Sequence, residues 1–199
     1  MKGIYKAFIN AVLQVKDLTN MEIQNVVASS SLGQELDLNH IEECLKGAEY
    51  NPQQFPGLVY RIKEPKTATL LFRSGKIVCT GGKSKEEVII AVHKVIDDLK
   101  QADVIITEEP VVEVQNIVAS SDLEQEINLN TVAITLGLEK VEYEPEQFPG
   151  LVNRLDDPKV VVLLFSSGKM VITGAKIPND VIRAVDKIAE ELRDAGLMN

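Results

Sequence analysis

The chain carries the same sequence pattern twice, and this duplication constrains its fold more than any other feature. Residues 22–45 match residues 113–136, and residues 49–100 match residues 142–193. Over these two blocks 41 of 76 aligned pairs are identical. Solenoid proteins repeat units of only about 20–45 residues, so a match of this length indicates a duplicated half of a domain. The fold must therefore contain one set of strands and helices twice.

The sequence pattern of each repeat predicts, in chain order, a strand, a short helix, four strands and a long helix. In the first repeat these are the strand 23–30, the helix 36–45, a short strand beginning near Tyr50, the strands 58–62, 67–72 and 77–80, and the helix 84–100. Asp37 and Asn39 are both candidate N-caps of the short helix. Proline and glycine residues between the later strands are typical of tight turns. This order predicts an α+β fold with helices on one face of an antiparallel sheet.

The repeats divide the chain into an N-terminal extension (residues 1–20), a first repeat (residues 21–109) and a second repeat (residues 110–199). Several apolar residues of the extension fall near helical spacing, namely Ile4, Phe8, Val12, Val15 and Leu18. This spacing favours a short amphipathic helix. An equally weighted alternative is a segment appended outside the fold, because Met21 could itself be a start.

The predicted strands are apolar on both faces. Residues 160–165 read VVVLLF, and residues 58–59 and 70–72 are similarly apolar. A sheet covered by helices on one side is expected to be polar on the other. The second face is therefore predicted to meet an apolar surface, which is either a protein layer, a dimer partner or a ligand. The minor groove of DNA, with its sugar and base edges, is such a ligand.

The charge of the chain is unevenly distributed. The formal net charge of −9 argues against nucleic acid, because phosphate neutralisation needs lysine and arginine. Residues 61–85 and 153–176, however, hold 11 of the 21 basic residues and only 3 of the 30 acidic ones. The strand side of each repeat is thus predicted to be basic and the helix side acidic.

No motif in the sequence predicts catalysis or a metal site. Residues 82–84 read GKS and end like a phosphate-binding loop, but Ile77 stands where that motif requires its first glycine. His40 and Cys44 lie four residues apart on a predicted helix, and such a pair does not complete a metal site. The two cysteines, Cys44 and Cys79, make no disulfide framework, so the chain is predicted to be intracellular. No apolar stretch is long enough to predict a membrane span.

Three pairs of segments resemble the TATA-binding protein family of archaea and eukaryotes. They are IQNVVAS and VQNIVAS, EYNPQQFPGLVYR and EYEPEQFPGLVNR, and EPKTATLLFRSGKIVCTGGK and DPKVVVLLFSSGKMVITGAK. The resemblance covers residues 22–193, whereas the first 20 residues match nothing in the family. The chain is more similar to archaeal than to eukaryotic members in its short length, its acidity and the FPGL sequence of both repeats. The family implies a ten-stranded antiparallel saddle, five strands from each repeat, with its concave face on DNA and its helices on the convex face.

The resemblance also implies roles for matched residues of the two repeats. It implies DNA intercalation by Phe55, Phe72, Phe148 and Phe165. It implies minor-groove contact by Asn25, Asn116, Val27, Val118, Thr80, Thr173, Val78, Val171, Leu70 and Leu163. It implies phosphate contact by Arg61, Lys76, Arg154 and Lys169. It implies contact with transcription factor B by Glu144, Glu146 and Gln147, where the first repeat has Asn51, Gln53 and Gln54.

The implied function is that of a general transcription initiation factor, not an enzyme, with no cofactor. Such a protein binds double-stranded, A·T-rich promoter DNA (the TATA box) in the minor groove, bends it, and recruits transcription factor B and, indirectly, RNA polymerase. An archaeal member is expected in the cytoplasm at the nucleoid, and a eukaryotic one in the nucleus. One alternative is a protein-binding scaffold of the same fold, and a weaker one is an enzyme with a groove between the repeats. A homodimer that forms through the apolar concave face without DNA is a further alternative.

Overall fold

The structure, a computed structural model, describes residues 20–107 and 109–198. The predicted N-terminal helix lies outside the described residues. The described residues form two compact units. The first unit comprises residues 24–116, and the second comprises residues 117–198 together with residues 20–23.

Both repeats contain the predicted order of elements. The first repeat forms β1 (Glu22–Ser31), α1 (Leu38–Cys44), β2 (Ala48–Glu49), β3 (Gly57–Ile62), β4 (Thr67–Phe72), β5 (Lys76–Gly82) and α2 (Lys85–Gln101). The second repeat forms β6 (Glu113–Asp122), α3 (Leu129–Leu136), β7 (Val141–Glu142), β8 (Leu151–Leu155), β9 (Val160–Leu164), β10 (Lys169–Ala175) and α4 (Pro178–Asp194). The predicted α+β fold of antiparallel strands and helices is thus confirmed, with ten strands among the described residues.

The strands of the two repeats pair in the same way. The order is β2-β3-β4-β5-β1 in the first repeat and β7-β8-β9-β10-β6 in the second. These neighbours are antiparallel, and Leu70 pairs with Val78 as Leu163 pairs with Val171. The β1–β5 register shifts after Val26, and the β6–β10 register has a matching irregularity. The duplicated sequence therefore produces a duplicated register.

The turn after β4 shows why the Ser-Gly-Lys motif recurs. Gly75 has a φ of +78°, which side chains with a Cβ rarely adopt. A Cβ at Gly75 would also lie only 2.1 Å from the carbonyl oxygen of Gln34. Gly168 has a φ of +85°, and its Cβ would lie 2.2 Å from the carbonyl oxygen of Gln125. Glycine is required at this turn in both repeats.

Two sequence predictions about the short elements need correction. Asp37, one of the two candidate caps, accepts hydrogen bonds from the backbone N–H groups of Asn39 and His40 at 3.1 and 3.2 Å. Because Asp37 caps it, α1 begins at Leu38 and not at residue 36. The short strand β2 ends at Glu49, so it precedes Tyr50 instead of beginning there. Pro52, two residues after Tyr50, cannot donate to a strand partner, and the chain turns at residues 52–54.

The long helices bury one face of each set of strands. The helix α2 packs on β4 and β5, and α4 packs on β9 and β10. Val88, Val92, Val95 and Leu99 of α2 are completely buried. Each such side chain contributes about 1.5–3 kcal/mol by leaving water. Among the described residues, no helix combines the length and apolar composition that a membrane crossing requires.

At three matched positions of the buried face, the first repeat has a hydroxyl or thiol side chain where the second has an aliphatic one. The first repeat has Thr67, Thr69 and Cys79 where the second has Val160, Val162 and Ile172. All six are buried. The Thr69 hydroxyl is completely buried, and its cross-strand neighbour is the Cys79 thiol, which is only a weak hydrogen-bonding group. The first repeat therefore buries a hydroxyl with no strong hydrogen-bond partner where the second has a methyl group.

Replacing this hydroxyl by a methyl group should stabilise the protein. We expect Thr69→Val to raise the free energy of unfolding by about 1 kcal/mol, because a buried hydroxyl costs about 1–3 kcal/mol to desolvate and a thiol neighbour recovers little of it. Urea unfolding measures this as a higher midpoint with an unchanged slope. The matched control is Val162→Thr, which should lower the midpoint. A Thr69→Val midpoint at or below that of the parent would contradict this expectation and show that the contact of the hydroxyl with Cys79 stabilises the fold.

Candidate nucleic-acid interface

Each repeat has a sheet face that points away from its buried core. Along the strands, buried residues alternate with half-buried ones. The buried set packs against the helices, and the half-buried set points to the opposite side. We call that side the open face. In the first repeat it carries Asn25, Val27, Ser29, Val59, Arg61, Ala68, Leu70, Phe72, Lys76, Val78 and Thr80. In the second repeat it carries Asn116, Val118, Ser120, Val152, Arg154, Val161, Leu163, Phe165, Lys169, Val171 and Thr173.

The predicted site residues are all on this face or beside it. Every residue predicted to contact the groove or the phosphates lies on the open face of its own repeat. Phe72 and Phe165 lie there too, at the end of β4 and directly after β9. Phe55 and Phe148 lie in the turns that lead into β3 and β8. The structure therefore brings together, within each repeat, residues that are far apart in the sequence.

A row of apolar side chains crosses the open face of each repeat. Leu70 pairs with Val59 on one side and with Val78 on the other, and Val78 pairs with Ser29. The second repeat has the same row of Val152, Leu163, Val171 and Ser120. These side chains are half-buried, so they offer aliphatic surface at the centre of the face. Such a surface suits an apolar ligand, whereas burying a polar group against it without a hydrogen-bond partner costs free energy.

The orientation of the Asn25 side chain is set by β5. Its Oδ1 atom accepts hydrogen bonds from the backbone N–H of Gly81 at 2.7 Å and from the Thr80 hydroxyl at 3.2 Å. Because a backbone amide can only donate, the oxygen of Asn25 must face β5. The side-chain NH2 group is then directed away from β5 as a donor. Asn116 and Thr173 occupy the matched positions of the second repeat and are also half-buried.

Two phenylalanines form a ring pair in each repeat. The ring centroids of Phe55 and Phe72 are 5.8 Å apart and their planes meet at 65°. The Phe148 and Phe165 rings are 5.9 Å apart and meet at 64°. Edge-to-face contacts of this kind contribute about 0.5–1.5 kcal/mol beyond burial. Phe55 and Phe148 nevertheless remain 37% and 38% exposed. In each pair, the exposed ring is therefore supported by the other ring and is still accessible to a ligand.

A glycine beneath each ring pair makes room for it. A Cβ on Gly57 would lie 2.7 Å from Cε1 of Phe55 and 3.1 Å from Cε1 of Phe72. On Gly150 it would lie 2.7 Å from Cε1 of Phe148 and 3.0 Å from Cε1 of Phe165. Any larger residue would displace the rings. In the sequence the Pro-Gly pair indicates only a turn, and the contacts of this glycine with the two rings appear only in three dimensions.

Both open-face arginines are held by a glutamate of the neighbouring short strand. Arg61 Nη1 lies 2.9 Å from Glu49 Oε1, and Arg154 Nε lies 3.1 Å from Glu142 Oε1. All four side chains are at least 60% exposed, so each pair contributes at most about 1 kcal/mol. Sequence reasoning missed these glutamates. The available signal was that both the arginine and the glutamate recur in the two repeats.

The turns before β3 and β8 have the same backbone but different charge. The amides of Gln54 and Phe55 donate to the Asn51 carbonyl at 3.0 and 2.9 Å. In the second repeat the amides of Gln147 and Phe148 donate to the Glu144 carbonyl at 2.9 and 3.0 Å. The predicted partner-contact residues Glu144, Glu146 and Gln147 are all exposed. The Gln147 side-chain amide also donates to the Glu144 carboxylate. Each turn thus carries its phenylalanine at one end and exposed polar side chains before it.

The His40 and Cys44 side chains do lie close together. The Cys44 sulfur is 3.8 Å from both ring nitrogens of His40. One of these nitrogens, Nε2, also lies 3.3 Å from the carbonyl oxygen of Ala102. In the part of the chain that the structure describes, no three His, Cys, Asp or Glu side chains are arranged to hold a metal ion.

Comparisons with known proteins agree with this geometry. The family model described as transcription factor TFIID (or TATA-binding protein, TBP) matches residues 20–102 and 111–195. The TATA-box-binding protein of Archaeoglobus fulgidus is 59% identical over 178 residues, which cover 89% of this chain and 97% of that protein. That of Natronomonas pharaonis is 58% identical over 179 residues, which cover 90% of this chain and 96% of that protein. The solved structure of Methanococcus jannaschii TBP superposes with a TM-score of 0.80 at 53% identity, covering 87% of this chain and 98% of that one.

Proposed function

The chain belongs to the TATA-binding protein family, and we propose that it is a general transcription initiation factor for A·T-rich promoters. In this proposal it binds the TATA box in the minor groove and bends the DNA by inserting phenylalanine side chains. It then recruits transcription factor B and, through that factor, RNA polymerase. The observation that carries the proposal is the open face, which combines aliphatic rows, amide groups and exposed phenylalanines in both repeats.

The apolar rows suit the minor groove of A·T base pairs. A·T and T·A pairs both present only acceptors there, adenine N3 and thymine O2, whereas guanine adds an amino group. The aliphatic side chains of Leu70 and Val78 can offer that amino group no acceptor, so a G·C pair would lose a hydrogen bond to water. The Asn25 NH2 group, in contrast, is a donor and can satisfy the acceptors of A·T pairs. The open face therefore favours A·T pairs in two ways: the amide donor can bind their acceptors, and the aliphatic side chains disfavour the guanine amino group.

The phenylalanine pairs are the wedges of the proposed mechanism. Inserting a ring into a base step costs a few kcal/mol of stacking, which the larger contact with bent DNA offsets; this behaviour is known for the family. The ring that enters must be rigid and exposed. Phe55 and Phe148 are exposed, and each leans on a second ring that is itself anchored at the end of a strand. Each pair therefore presents a preformed apolar edge.

The charge of the two turns gives the proposed complex a direction. The second repeat carries Glu144 and Glu146 where the first carries the neutral Asn51 and Gln53. A carboxylate pair beside DNA attracts a basic protein partner and repels phosphate. We therefore place transcription factor B on the turn of the second repeat, with Gln147 as a further contact.

The first test measures base preference by fluorescence anisotropy with labelled duplexes of equal length. We expect clearly tighter binding to A·T-rich than to G·C-rich DNA, because the aliphatic side chains at the centre of the open face offer no acceptor to the guanine amino group. Equal affinity for both duplexes would contradict minor-groove recognition. No binding at any salt concentration would favour the alternative, a protein-binding scaffold of the same fold.

The second test removes the wedge of the second repeat. We expect Phe148→Ala with Phe165→Ala to weaken binding by roughly one to two orders of magnitude and to reduce bending, since the lost insertion is worth a few kcal/mol. Energy transfer between dyes on the two DNA ends measures the bend. The control is Ile90→Ala with Ile177→Ala, which removes side chains that are 56% and 53% exposed on or beside the helices. Bending that survives the double phenylalanine change would disprove the wedge assignment.

The third test concerns the glutamates that hold the open-face arginines. We expect Glu49→Gln with Glu142→Gln to strengthen DNA binding, because each change removes a carboxylate near the phosphates and frees a guanidinium. The slope of log affinity against log salt should steepen by up to about 0.9 for each arginine freed. Glu86→Gln, on the first turn of α2, removes an exposed carboxylate elsewhere and serves as the control. Arg61→Gln with Arg154→Gln should act in the opposite direction. An unchanged slope in both double variants would show that these arginines do not meet phosphate.

A further inference from the structure

A groove in the second unit lies beside the loop that joins α3 to β7. It has a volume of about 530 Å³ and is bounded by that loop, by β8 and by α4. Of the residues assigned above to DNA or to transcription factor B, its lining includes Arg154 alone. A role for the groove would therefore go beyond the proposed function.

The first repeat has a tyrosine where the second repeat has this groove. Tyr60 of β3 is matched by Asn153 of β8, and Asp98 of α2 is matched by Glu191 of α4. The Tyr60 side chain reaches from its strand to the helix, where its hydroxyl donates a hydrogen bond to Asp98 Oδ2 at 3.0 Å. In the second repeat Asn153 and Glu191 both line the groove. The shorter asparagine therefore leaves open the place that a phenol ring occupies in the first repeat.

The Asn153 side chain is buried without a hydrogen-bond partner. The residue is only 6% exposed, and no other described residue hydrogen-bonds its side-chain amide. Leaving a buried amide unpaired costs free energy, which a polar ligand recovers. The amide has both donors and an acceptor, so it can pair with a hydroxyl group placed beside it. This unpaired amide indicates a ligand with a polar group inside the groove.

The surface around the groove is apolar where the first repeat is charged. The loop 137–141 is two residues longer than the matched loop 46–48 and carries Leu138, which lines the groove and is 73% exposed. Ile134, on the last turn of α3, is 80% exposed and stands where the first repeat has Glu43. Exposed apolar side chains that cluster in this way are typical of a protein-binding surface. A small molecule held in the groove would leave Ile134 uncovered, whereas a protein partner can cover it.

The first repeat also shows which form of the ring is bound. Burial raises the pKa of the Tyr60 hydroxyl, and the hydrogen bond to Asp98 and the charge of that carboxylate raise it further. Tyr60 is therefore a neutral donor at pH 7. Glu191 offers the same kind of acceptor in the groove, whose lining of four carboxylates and three cations is close to neutral. A neutral phenol thus fits the groove better than a phosphorylated ring, which Glu191 would repel.

We propose that this groove binds a tyrosine side chain of another protein, as the first repeat holds its own Tyr60. The ring enters between β8 and α4, and its hydroxyl donates to the Glu191 carboxylate beside the Asn153 amide. Apolar residues that flank the tyrosine cover Leu138 and Ile134. The second repeat thereby gains a protein contact on its helix side, in addition to the turn before β8.

The first experiment uses N-acetyltyrosinamide as the probe of the groove. The full chain is labelled with ¹⁵N, and the side-chain amide signal of Asn153 is followed by NMR during a titration. We expect the probe to shift this signal with a roughly millimolar Kd, which is typical of so small a ligand. N-acetylphenylalaninamide should bind about tenfold more weakly, because it lacks the hydroxyl that donates to the Glu191 carboxylate. An Asn153 signal that N-acetyltyrosinamide does not shift would overturn the proposal.

Exchanges between the repeats supply the matched variants. Asn153→Tyr places the residue of the first repeat in the groove and should abolish probe binding. Tyr60→Asn opens the matched place of the first repeat and should add a second binding event. Leu138→Glu changes an exposed side chain that the fold does not require, and it should weaken binding at the original groove. Probe binding that survives both Asn153→Tyr and Leu138→Glu would place the ligand elsewhere and overturn the proposal.

The second experiment separates a protein partner from a free phenol. Displayed random peptides are selected for binding to the full chain and against binding to the Asn153→Tyr variant. We expect the selected peptides to share a tyrosine with apolar neighbours, and a synthetic one to lose affinity when that tyrosine is phosphorylated. Selected peptides without a common tyrosine, or probe binding without any selected peptide, would overturn the assignment to a protein partner. Asn153→Tyr should bind A·T-rich DNA as the parent does, because position 153 lies on the buried face and not on the open face.

Discussion

The packing of α2 on β4 and β5, matched by α4 on β9 and β10, determines which side chains are left for function. Strand residues alternate between two faces, so burying Leu71, Ile77 and their neighbours against a helix directs Leu70, Val78 and Thr80 the other way. In most sheets of this kind the outward set is polar. Here it is aliphatic. A ligand that covers this face removes its apolar surface from water, which favours binding. The proposed DNA site is a direct consequence of this arrangement.

The two repeats differ in places that matter for different reasons. Their open faces carry the same residue at every matched position except one, where the first repeat has Ala68 and the second has Val161. Their turns do not match, because only the second repeat has carboxylates at Glu144 and Glu146. Their buried faces also differ, since Thr69 of the first repeat stands where the second has Val162. The two repeats thus agree on the proposed DNA-binding surface and differ at the proposed partner contact and in the core.

Several contacts of the candidate site depend on pairs of residues that no local pattern joins. The EY motif and the arginine twelve residues later recur in both repeats, but their ion pair requires the β2–β3 register that pairs Glu49 with Val59. The same is true of Gly57, whose missing Cβ accommodates Phe55 from the preceding turn and Phe72 from the neighbouring strand. The N-cap was open between Asp37 and Asn39, because both are good caps and only the backbone geometry selects one. The predicted short strand was misplaced because two residues give too little periodicity to recognise.

The sequence by itself determined the repeat, the order of its elements, the alternation along its strands and the family to which it belongs. These are local or periodic properties, and they recur twice, which doubles each signal. The tertiary structure decided which of two apolar faces is covered by helices, how the amide of Asn25 is turned by Gly81 and Thr80, and which acid holds each arginine. Those outcomes depend on strand register and helix packing, which bring distant residues into contact and which no single segment specifies.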